Sequence, residues 1–210
     1  MNAGILTVWV ITVLAILVST GWRTWLIGEI TTNRLLFLAV GAGVALPFTF
    51  SLSQDIQLHA STCWVICWTA AAIRQAPRSL GQAMLLLCGC VLATLGWYVI
   101  ERMYQLDPVF VVMHPAWDGI LVAGVFAGLL TWRFEEQLFL LILSLLAADI
   151  ALTLVHPRAT PFVLGSWSWW DRLLSALIIA RLTGAACQLM GYMRARWQGK
   201  QLHNQGGSRT

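Results

Sequence analysis

Charge is what this sequence has least of. Only 10% of its residues are Asp, Glu, Lys or Arg, where a soluble domain carries about 25%. Lysine is missing from every long apolar stretch, which excludes a retinal-type Schiff base inside the protein. Long polar segments are missing as well, so 210 residues leave no room for an appended water-soluble catalytic domain. Reaction motifs are absent too: there is no H-E-x-x-H, no P-loop, no G-x-G-x-x-G and no G-x-S-x-G, the arrangements that zinc, phosphate, dinucleotide and serine-hydrolase chemistry use. Glu135-Glu136 lacks the histidine partners of a glutamate-dependent intramembrane protease. No enzyme and no cofactor is expected.

Apolar sequence is what remains. The hydrophobic fraction is 59% and the mean hydropathy +0.74, the composition of a chain whose main solvent is lipid. Seven stretches, at about 3–20, 34–53, 57–73, 79–100, 116–132, 136–155 and 171–192, approach the length of about 20 residues that crosses a bilayer. With no period-two alternation to support a barrel, each must satisfy its own backbone, which predicts helices. The expected fold is an all-α integral membrane protein, a seven-helix transmembrane bundle over 1–193. A basic, disordered tail is expected over 194–210. The third stretch, short and holding His59, Cys63 and Cys67, is the one that could turn back instead of crossing.

The basic residues are distributed unevenly between the connections. Arg23, Arg34, Arg74, Arg78, Arg133, Arg194, Arg196, Lys200 and Arg209 fall on one side, and Arg102, Arg158 and Arg172 on the other, nine against three. The positive-inside bias then places the amino terminus outside and the tail in the cytoplasm of a bacterial cell. Most of the twelve tryptophans fall near expected interfaces. Trp22, Trp25, Trp132 and Trp197 mark the inner belt, and Trp97, Trp117 and the Ser166–Trp170 run the outer one. Residues 160–170 also suit a short interfacial helix.

Polar residues within the apolar stretches are the candidate sites. Asp149 and Arg181 lie inside the sixth and seventh, where a lone charge costs about 2.5–3.5 kcal/mol at mid-bilayer, so the two are expected to face each other as an ion pair. Thr153 and His156 extend the Asp149 face at helical spacing, and Gly184 and Gln188 extend that of Arg181. His59, Cys63 and Cys67 at four-residue spacing offer three metal ligands, although cysteine in lipid ordinarily packs as a small residue. Cys88 and Cys90 lie at a similar depth. His59, His114 and His156 with nearby carboxylates suggest an outer face able to sense pH or collect a cation. Asp118 suits the amino end of its helix.

Packing signals are clearer. Gly124 and Gly128 form a G-x-x-x-G, and Ala176, Ala180 and Gly184 repeat the small-residue pattern in the last stretch, which allows close backbone contact within the bundle or between copies. Pro47 should kink or loosen the second helix. The expected partners are the lipid bilayer and either a membrane protein or a second copy, with no nucleic acid. Three functions fit: a non-enzymatic accessory or assembly protein, a small carrier working through the Asp149, His156 and Arg181 region, or an outer-face sensor.

With Gly-Trp-Arg-Thr-Trp at 21–25 closing the first stretch, the chain resembles in size and span plan the small bacterial membrane proteins of the YphA family. That resemblance implies a polytopic membrane protein and no particular activity.

Overall fold

The computed structural model describes residues 3–22, 30–51, 56–75, 79–106, 115–155 and 162–206. Arg23, Trp25, Arg78, His114, His156, Arg158 and Arg209 lie outside the described residues. Seven helices are formed among those described: α1 (Ile5–Ser19), α2 (Thr32–Ala45), α3 (Ala60–Gln75), α4 (Leu80–Leu106), α5 (Pro115–Leu130), α6 (Phe134–Val155) and α7 (Trp167–Gly206). Three short strands, β1 (Thr49–Ser51), β2 (Ile56–His59) and β3 (Phe162–Leu164), complete the chain. Helices Leu80–Leu106, Phe134–Val155 and Trp167–Arg196 are long and apolar enough to cross a membrane, while Ile5–Ser19, Thr32–Ala45 and Trp117–Leu130 are apolar but shorter.

Helix α6 is the axis. Its sequence is apolar on every face, which is the pattern of a helix enclosed by others. Leu140, Leu141, Ile142 and Leu145 are all fully buried, and α3, α4, α5 and α7 pack around them. Helices α1 and α2 lie outside this ring, α1 against α7 and α2 against α3. Trp64 of α3 lies over Gly41 of α2 and tilts against Phe37, with ring centroids 4.9 Å apart. Their outward residues, Trp9, Ile11, Ile16, Phe37, Val40 and Val44, are exposed and apolar, the surface that lipid solvates.

Three expectations are corrected, two of them by the strands. Helix α2 stops at Ala45 instead of running to residue 53, and Pro47 sits in the turn beyond it. Proline has no N–H and its ring crowds the preceding turn, so it ends the helix where a kink was expected. The chain then reverses through an antiparallel pair, Thr49 opposite His59, and β3 joins β2 in parallel, Leu58 opposite Leu164. Residues 162–164 are therefore strand and helix begins only at Trp167, which shortens the interfacial helix that 160–170 offered as an alternative to an aromatic belt. This small sheet caps the end of the bundle from which α3 and α7 set out. At the other end, residues 194–206 continue α7 as helix in place of the expected disordered tail.

Helix α1 is held to α7 by one carboxylate. Asp171 accepts the backbone N–H of Gly4 at 2.8 Å and of Thr7 at 2.7 Å, together with the Thr7 hydroxyl. It is thus a cap supplied by another helix, satisfying donors that the first turn leaves free. Gly4 has φ 90°, and a Cβ there would lie 3.0 Å from the Trp167 ring, so only glycine suits both the backbone and the contact. Removing a cap costs about 0.5–2 kcal/mol. Asp171→Ala should therefore speed amide hydrogen exchange through the first turn of α1 by roughly tenfold, while Asp171→Asn, which keeps an acceptor, changes it much less. Unaltered protection of Thr7 in Asp171→Ala would assign α1 to other contacts.

Candidate functional site

Among the described residues, α7 meets α6 and the connection before it at two polar stations. These helices run antiparallel, so residues that meet have numbers that rise on one as they fall on the other. Near the sheet, Asp149 is 4% exposed and receives a two-pronged bond from Arg172, Nη2 to Oδ2 at 3.0 Å and Nη1 to Oδ1 at 3.3 Å. Thr153, one turn on, donates its hydroxyl to the Asp149 carbonyl at 2.8 Å, so its oxygen is held within its own helix. The planar guanidinium matches a carboxylate edge to edge, which makes this the strongest kind of ion pair.

Toward the tail, Arg181 turns to the α5–α6 connection. Its Nη1 donates to the Trp132 carbonyl at 2.8 Å and reaches Gln137 Oε1 at 3.5 Å, and its guanidinium lies 4.6 Å from the centroid of the Trp132 ring. Gln137, fully buried, donates through Nε2 to the Thr131 carbonyl at 2.7 Å. Thr131 donates its hydroxyl to Glu136, and Arg133 Nε stands 3.8 Å from Glu136 Oε1. The station satisfies the backbone of a tight turn while holding one cation against an aromatic face.

Asp149 and Arg181 thus do not face each other. Gln137 and Asp149 are twelve residues apart on α6, about 18 Å at 1.5 Å per residue. The expectation erred at the start of α7. Counted from Trp167 instead of 171, Arg181 lies four residues deeper and Arg172 moves from the edge of the stretch to five residues inside the helix, opposite Asp149. Ser166, a good N-cap residue type, was the sequence signal for that start. Gln188 is exposed and does not share the inward face, whereas Gly184 does, with the Trp132 ring 2.8 Å from where its Cβ would be. His156 lies outside the described residues. Tyr104 donates its hydroxyl to Asp118 and ties the end of α4 to the first turn of α5, a use for Asp118 that helix position alone did not suggest.

The remaining candidates separate. His59 belongs to β2, with Nδ1 3.0 Å from the Leu46 carbonyl. Because α3 begins at Ala60, His59 does not continue the helical face of Cys63 and Cys67. Among the described residues no three His, Cys, Asp or Glu side chains come together to hold a metal. Trp97 and Trp169, placed in the outer aromatic belt by position, are fully buried. By contrast the small-residue faces meet within the chain: a Cβ on Gly124 would lie 2.7 Å from the Ala176 carbonyl oxygen, and one on Gly128 2.4 Å from that of Ala180. Between the two polar stations α6 presents buried Leu141, Ile142, Leu145 and Ala148, and Ser144 bonds back to the Leu141 carbonyl at 3.1 Å. Apart from Ser144, the buried side chains along this part of α6 are apolar.

Among curated proteins and among solved structures nothing matches the chain. A family model does, over residues 3–206, and the helical, apolar architecture agrees with its description: the chain belongs to the YphA-like integral membrane protein family.

Proposed function

We propose that this protein is a non-enzymatic accessory or assembly protein of the bacterial cytoplasmic membrane, crossing it seven times with the amino terminus outside and the tail in the cytoplasm. The observation that supports this reading is the apolar layer of α6 between the two polar stations. A carrier moving a hydrophilic solute needs groups that meet the solute along its path. Here Asp149 is engaged by Arg172 and Arg181 by Trp132 and Gln137, with about 18 Å of apolar helix between them. Closed internal bonding of this kind rigidifies a bundle and leaves its lateral faces as the surface available to a membrane partner.

Native mass spectrometry of the protein extracted in mild detergent tests the reading. A stoichiometric protein partner travelling with the chain is the expected result. A discrete small solute bound without any partner would overturn it in favour of the carrier, and a bound metal ion in favour of the outer-face sensor.

A further inference from the structure

We draw no further inference here: the strongest candidate, the pair of buried hydroxyls of Ser61 and Thr62 in the first turn of α3, has no hydrogen-bond partner among the described residues but carries nothing, because both oxygens are packed too closely for even a water-sized ligand to lie beside them.

Discussion

Gly128→Leu should lower the thermal midpoint in detergent, with a loss of at least about 3 kcal/mol. Overpacking ordinarily costs about 1–3 kcal/mol because flexible neighbours give way. At Gly128 the obstruction is the Ala180 carbonyl, 2.4 Å from where even a methyl group would lie. Main chain cannot rotate aside, so α5 and α7 must separate, and with them the backbone contacts at Gly124 and Ala176. In membranes such contact is a principal source of helix association, since lipid tails compete for apolar side chains as well as protein does. Gly43→Leu is the control, because nothing lies within 4 Å of its position. Equal melting of the two variants would mean that the α5–α7 seam is looser than this packing.

Breaking the Asp149–Arg172 pair from either side should cost about 3–5 kcal/mol, the usual result of leaving one buried charge uncompensated. Asp149→Leu takes from the guanidinium its carboxylate, and Arg172→Met takes the two-pronged bond from a carboxylate that is almost entirely enclosed. The double variant, with both charges gone and their volume kept, should recover most of the loss, because a buried pair is worth little against apolar groups of the same size. Exchange gives a sharper result. Asp149→Arg combined with Arg172→Asp should restore membrane abundance, whereas Asp149→Arg combined with Arg181→Asp should not, since Arg181 reaches Gln137, about 18 Å from Asp149 along α6. Rescue by the second exchange and not by the first would invalidate the register of α6 against α7.

Much of this architecture is legible in the chain because lipid imposes one strong rule: backbone polar groups must bond within the segment. Apolar stretches therefore read directly as helices, and Gly124 and Gly128 read as a seam because only small residues permit backbone contact. What escaped was local. Pro47 signalled a break whose consequence, a strand pair with Thr49 opposite His59, needed a partner distant in sequence. Ser166 signalled the start of α7, but the surrounding tryptophans obscured it, and an error of four residues moved Arg181 away from Asp149 and concealed Arg172.

Composition and periodicity by themselves determine that the chain is helical and membrane-bound, which residues are too polar for lipid, and which faces are small enough to pack closely. They do so because each is a property of one segment and its solvent. Only the tertiary structure decides which polar groups meet, that Asp171 caps α1 from another helix, and that Trp97 and Trp169 enter the core. These depend on the register between helices, and register follows from side chains many residues apart interlocking at once, a quantity that no single segment contains.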